Sequence, residues 1–175
     1  MVDADTALTP QTCSLVLEPE TSLTPDQIRA QPYRYPELIG ALLHLTRWTR
    51  PDIANAVRVL SKFLTRYNKT HWIAAQRILR YLKGTSDYGL VFDGKLEDQI
   101  SYQLYSDASF ANPDEQRKSV TGYCVMMAGG PISTKTTQQN NITISTAEAE
   151  LVACRACRES EWIWFLLAEL GFELL

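Results

Sequence analysis

Cysteine is scarce in this chain and badly placed for a staple: Cys13, Cys124, Cys154 and Cys157 show neither a disulfide-framework spacing nor a zinc spacing. No apolar run precedes a small-residue cleavage site, so the expectation is a reduced, intracellular protein, cytoplasmic or nuclear. Nothing approaches eighteen consecutive apolar residues, which excludes a helical membrane span and leaves no membrane partner to expect. Histidine is limited to His44 and His71, both in helical, largely apolar surroundings that favour structural roles over catalysis. The pair Gly129-Gly130 has no lysine-bearing helix after it, which excludes a phosphate-binding P-loop. Internal repeats and low-complexity tracts are absent too.

What is present is an apolar fraction of 45% over 175 residues, enough for one domain or two small ones. The net charge of −3 conceals an asymmetry. Between Arg34 and Lys83 ten basic residues face two acidic ones, Glu37 and Asp52, a local balance of +8. A basic half beside an acidic half hints at nucleic-acid contact, although many basic helix faces are only solvated. Arg50, Arg58, Lys62, Arg66, Arg77, Arg80 and Lys83 are the candidates for that role, joined by Arg117 and Lys118 in a later loop.

Three regions follow from the patterning. Residues 1–31 are rich in Thr, Pro, Asp and Glu and read as a flexible linker or tail. Residues 32–85 carry three helical stripes: Leu38, Ile39, Leu42, Leu43 and Leu45; then Ile53, Val57, Leu60, Phe63 and Leu64; then Trp72, Ala75, Ile78, Leu79 and Leu82. Thr49 and Thr70 are the expected caps of the second and third helices, and Gly84 the end of the last. From residue 86 the period becomes that of strands, in "YGLVFDG", "ISYQLYSD", "VTGYCVMMA" and "PISTKT", with Gly129-Gly130 as a hairpin turn. A long helix is expected from Thr146 to about Leu170, packing through Ala149, Val152, Ala153, Ala156, Ile163, Leu166, Leu167 and Leu170, with Gly171 as its cap. Cys154 and Cys157, one helical turn apart, read as packing residues on it. The fold class is therefore α/β in the α+β sense: a small helical segment, then antiparallel strands and a long helix.

Two acids draw attention. Alternation in "ISYQLYSD" puts Gln103, Tyr105 and Asp107 on one face of a strand, with Asp107 near the end of what would be a central strand. Glu150 lies in the first turns of the helix that would pack across that sheet, giving two hard oxygen ligands suited to Mg²⁺ or Mn²⁺. The bland alternative is that Asp107 serves a turn and the glutamates serve the helix dipole.

The runs "YRYPELIGALLHLTRWTRPDIANAVRVLSKF", "HWIAAQRILRYLKGTSDYGL", "YSDASFA", "RKSVTGYCVMMAGGPISTK" and "STAEAELVA" together resemble the C-terminal part of the Pol polyprotein of copia-type LTR retrotransposons. The resemblance implies a thumb-like end of a reverse transcriptase over 32–85, and the N-terminal portion of a ribonuclease H-like domain over 86–175. It assigns Asp107 and Glu150 as catalytic metal ligands, with Glu148 the weaker alternative. The implied parent activity is two-metal hydrolysis of RNA in an RNA–DNA hybrid, with Mg²⁺ or Mn²⁺ as cofactor and the hybrid as nucleic-acid partner. Ser109-Phe110 departs from the Asp-Trp common in that family, and the family's third and fourth acids would fall beyond Leu175. No paired-aspartate polymerase motif occurs. The expectation is thus a fragment, weak or inactive as a nuclease alone, completed by the remainder of Pol or by a second subunit. Two other readings stay open, a non-enzymatic nucleic-acid-binding module and a protein-interaction fragment docking through an open sheet edge.

Overall fold

The computed structural model describes residues 4–12, 16–93, 101–110 and 117–172, and the chain divides into two units, Met1–Gly89 and Leu90–Leu175. In the first, Thr24 accepts a hydrogen bond from the Gln27 amide while the Gln27 side chain accepts from the Thr24 amide, a capping box that starts the short helix α1, Pro25–Arg29. Helix α2, Tyr35–Trp48, turns Tyr35, Ile39 and Leu42 inward. A 3₁₀ turn, Pro51–Ile53, then leads into α3, Ala54–Ser61, with Ala56, Val57 and Leu60 buried. Thr49 closes α2, donating its amide to Leu45, and does not cap the next helix.

Helix α4, Lys69–Gly84, is capped by Asn68 and not by Thr70, because the Asn68 side-chain oxygen accepts from the amides of both Thr70 and His71. Its Ala75 and Ile78 complete a core with α2 and α3, and Tyr35 donates its hydroxyl to the Leu60 carbonyl at 2.8 Å inside that core. Tyr35 stacks on Tyr67 with ring centroids 4.8 Å apart. Leu43 and Leu64, expected in the stripes, are on the surface.

Composition led us to expect a free tail before residue 32, yet the described residues there lie along the helices. The Ala7 amide bonds the Arg80 carbonyl, the Glu20 amide the Arg66 carbonyl, and Ile28 is buried in the core. Backbone hydrogen bonds and one isoleucine do what the polar composition did not advertise. Cys13 lies outside the described residues.

The second unit holds a three-stranded antiparallel sheet in the order β1 (Tyr102–Ser109), β2 (Val120–Met127) and β3 (Gly130–Gln138). The β2–β3 hairpin turns on Ala128-Gly129, one residue earlier than expected, with φ of 51° and 80°. Both central residues are left-handed, as a two-residue turn that matches strand twist requires. Gly130 opens β3 instead, where a Cβ would stand 2.7 Å from the Val91 carbonyl oxygen and 2.8 Å from the Phe92 ring. The "YGLVFDG" run forms no strand in its described residues; Asp93 donates its amide to the Ala128 carbonyl at the hairpin tip. Gly94 and Ile100 lie outside the described residues.

The expected long helix is broken. Helix α5, Thr146–Ala153, passes through a 3₁₀ turn at Cys154–Ala156 into α6, Cys157–Glu169. Small side chains at Ala149, Ala153 and Ala156 are buried around the break, and Ile163 and Leu167 of α6 pack with Val125, Leu104 and Tyr102 on one face of the sheet. Leu166 and Leu170, expected in the stripe, are exposed, as are Cys154 and Cys157. At the C-terminus, Gly171 takes φ +83°, and the amides of Gly171 and Phe172 return to the carbonyls of Ala168 and Leu167, which is a Schellman cap. Helices followed by antiparallel strands and helix make a mixed α/β architecture consistent with a partial ribonuclease H-like fold.

Candidate functional site

Asp107 sits in β1 opposite Gly122 of β2. Leu104 faces Val125 on the side packed against α6, so alternation sends Asp107, with Gln103 and Tyr105, to the other face, where all three are exposed. Among the described strands β1 is the edge of the sheet, not a central strand. Glu150 is exposed on α5, which packs against β1 and β2 on the face that carries Thr121, so the structure sets it on the opposite side of the edge strand from Asp107 and does not bring the two carboxylates onto one face.

Glu148 has other work. Its carboxylate accepts the Ile144 amide at 2.7 Å while its own amide donates to Ser145 Oγ at 3.1 Å, which commits it to the helix start. Asp107 and Glu150 have no hydrogen-bond or ion-pair partner among the described residues, so both carboxylates remain available to a cation. Hard oxygen donors of this type fit Mg²⁺ or Mn²⁺. They make at most a partial shell, because no group of three or more His, Cys, Asp or Glu gathers among the described residues.

The basic candidates separate into distinct environments. Arg50 is almost fully buried and holds Asp52 through two bonds of 3.0 and 2.8 Å, while donating to the Thr85 carbonyl at 2.9 Å. Its guanidinium lies over the rings of Tyr81 and Tyr88, 5.5 and 5.8 Å from their centroids. Arg50 is therefore a structural cation and not a phosphate contact. Burial alone would raise the Asp52 carboxyl, but hydrogen bonds from Arg50 and Tyr81 outweigh it and hold Asp52 below its ordinary range.

Arg58 is half-buried against Asn55, and burial pushes its guanidinium below the ordinary arginine value. Arg77 donates to the Thr9 carbonyl and hydroxyl, and Lys83 to the Ala4 carbonyl at 2.7 Å. Arg80 is half-buried with its Nε lacking an acceptor among the described residues. Lys62 and Arg66 are exposed beyond α3, as is Arg117, whose φ of 60° is unusual for a non-glycine residue; Lys118 is half-buried. The sequence balance of +8 is thus not one open face.

His71 is buried, with its Nδ1 accepting the Asn68 amide at 3.2 Å and the Phe63 ring 4.4 Å away. Burial lowers its basicity, and Glu20 partly offsets this. Sequence reasoning missed the Arg50–Asp52–Tyr81 cluster, whose signal is an Arg-Pro-Asp turn entering a helix. It also missed Gln139, which donates to Thr121 Oγ1 and to the Ala149 carbonyl, both at 2.9 Å, tying β2 to α5.

No established family profile and no solved structure matches this chain. Curated relatives do. The chain is 42% identical over 138 residues to the retrovirus-related Pol polyprotein from transposon TNT 1-94 of Nicotiana tabacum, an overlap of 78% of this chain and 10% of that one. It is 36% identical over 177 residues to the Pol polyprotein from transposon RE2 of Arabidopsis thaliana, covering 99% of this chain and 12% of the relative. Secreted RxLR effector protein 161 of Plasmopara viticola is 38% identical over 130 residues, 74% of this chain and 90% of that protein. Similarity that runs through both units, on helices followed by an antiparallel sheet and helix, makes this chain a member of the retrovirus-related Pol polyprotein family of copia-type transposons, spanning about a tenth of the length of the Pol polyproteins it matches.

Proposed function

We propose that the second unit is the N-terminal portion of a ribonuclease H domain, and that the first is the thumb-like end of a reverse transcriptase. The parent activity on this reading is metal-dependent hydrolysis of the RNA strand in RNA–DNA hybrids. One observation carries it: the first strand and the helix packed against its sheet each present an uncommitted carboxylate, Asp107 and Glu150, whereas nearby Glu148 is used up in capping. Asp107 and Glu150 would hold Mg²⁺ or Mn²⁺, and the bound ions supply charge neutralisation at the scissile phosphate. The protein's own part is to fix two acids on rigid elements. Arg66, Arg117 and Lys118 are the basic side chains best disposed for phosphate, since Arg50 is internal and Arg77 and Lys83 bond the N-terminal segment.

Two acids do not make a two-metal site, so the chain alone should cleave hybrid weakly or not at all. The test is cleavage of a labelled RNA–DNA hybrid in Mg²⁺ and in Mn²⁺, by the chain alone and mixed with a polypeptide supplying the rest of a copia-type Pol polyprotein. The reading expects cleavage above that of either component, lost on Asp107→Asn and on Glu150→Gln. Cleavage by this chain that survives both substitutions would overturn it.

A further inference from the structure

On the helix-covered face of the sheet, β2 and β3 pair Thr121 with Thr137 and Tyr123 with Lys135, and alternation points all four the same way. Above them the α5–α6 elbow contributes Arg155 and Arg158. The space between is an open cleft of about 470 Å³. Three cations, Lys135, Arg155 and Arg158, line this cleft against one acid, Glu159, whose carboxylate already accepts the Ser133 hydroxyl at 3.0 Å. None of the three cations has a hydrogen-bond or ion-pair partner among the described residues. Lys135 is exposed even though its register puts it on the helix-covered face of the sheet, where a strand normally carries apolar groups.

A second observation lies on the cleft wall. Gln139 is 6% exposed and spends its amide nitrogen on Thr121 and Ala149, leaving its Oε1 buried without a donor among the described residues. Buried acceptors without donors are rare in folded proteins. Converging unpaired cations and threonine hydroxyls in a volume suited to a small molecule describe a site for an anion.

We propose that this cleft binds a phosphate-bearing ligand of mononucleotide size, held by Lys135, Arg155 and Arg158. The site is independent of Asp107, which lies on the opposite face of the sheet, and it needs no divalent metal. Phosphate of this kind comes either from a free nucleotide or from the end of a nucleic-acid strand.

Calorimetric titration in EDTA tests it, using inorganic pyrophosphate, AMP and a 5′-phosphorylated single-stranded oligonucleotide on the intact chain. Saturable 1:1 pyrophosphate binding is expected, weakened about tenfold or more by Lys135→Gln and by Arg158→Gln, as loss of a charge-assisted bond implies. Arg29→Gln, an exposed residue of α1, and Asp107→Asn should leave it unchanged. AMP binding as tightly as the oligonucleotide assigns free nucleotide, and oligonucleotide binding more tightly assigns a strand end; both require the same variant sensitivity. Absence of saturable binding to about 10 mM, a range corresponding to negligible affinity, would overturn the proposal, as would binding that Lys135→Gln and Arg158→Gln leave intact. Because metal is absent throughout, this outcome is separable from that of the hybrid-cleavage experiment.

Discussion

The two units solve the problem of burial unequally. In the first, Tyr35, Ile39, Leu42, Ile53, Val57 and Ile78 are almost wholly removed from solvent, and even the long charged side chain of Arg50 is interior and paired. In the second, the sheet-to-helix core rests on Val125, Ile163 and Leu167, while Trp162, Trp164 and Phe165 stand on the surface of α6 and Leu170 is exposed at its C-cap. Exposed apolar area of this extent on one helix is uncommon for a self-sufficient domain. The lesson is that the helical unit closes its own core, whereas the sheet unit leaves apolar surface and a strand edge uncovered in the described residues.

The sharpest way to break that comparison is to empty one site in each core. Leu42→Ala should cost the helical unit about 2–5 kcal/mol in chemical denaturation, as full burial without relaxation implies. Half-buried Leu104→Ala should cost the sheet unit only about 1–2 kcal/mol. Equal losses would erase the distinction. Next in size is Asp52→Ala, which leaves the interior Arg50 guanidinium without its carboxylate, held only by Thr85 and the Tyr81 and Tyr88 rings, and should destabilise by about 1.5–3 kcal/mol. An unchanged denaturation midpoint would show that Arg50 relaxes to solvent.

A smaller effect sharpens the contrast through pH. His71 has its folded value depressed by burial, so the unfolded chain takes up protons first as pH falls. The stabilisation is complete above about pH 6.5, the ordinary imidazole value, and declines below it until the folded group also titrates. Asp52, whose folded value is also depressed, adds a further loss only at more acidic pH, as pH falls below the ordinary aspartate range. Denaturation midpoints of the helical unit should therefore fall between pH 6.5 and 5, and His71→Phe should flatten that slope. A slope unchanged by the substitution would place its origin elsewhere.

How much of this the sequence disclosed depended on the physics in play. Periodic burial was legible: Ile39, Leu42, Val57, Leu60, Ala75 and Ile78 face the core as their spacing demands. So was Gly171 as a cap, because only a left-handed residue ends a helix that way. Caps were less legible: Thr70 is the expected start of α4, yet Asn68, the stronger N-cap type, holds that place because its oxygen reaches two amides. The N-terminal segment was misjudged because backbone hydrogen bonds to Arg66 and Arg80 leave no trace in composition. The break at Cys154–Ala156 was hidden, since nothing in Cys-Arg-Ala-Cys forbids an uninterrupted helix.

The site was partly legible. Alternation groups Asp107 with Gln103 and Tyr105, but which face of the sheet they take, and that β1 is an edge strand among the described strands, is set by the packing of α5 and α6; Glu148 and Glu150 divide into a capping residue and an uncommitted one. Charge counting was less informative. Of the basic residues between Arg34 and Lys83, Arg50 turned inward to Asp52, and Arg77 and Lys83 bind backbone of the N-terminal segment. Lys135, Arg155 and Arg158 went unnoticed because they meet only when the hairpin folds under the α5–α6 elbow.

The proposal that Asp107 and Glu150 serve one cation, shared around the edge strand β1, is tested most directly by titrating Mn²⁺ into isotope-labelled protein and following paramagnetic broadening of backbone amides. The account predicts that amides flanking Asp107 in β1 and Glu150 in α5 broaden together at the same Mn²⁺ concentration, and that Asp107→Asn relieves both. Broadening centred elsewhere, or persisting around Glu150 in the Asp107→Asn variant, would contradict it.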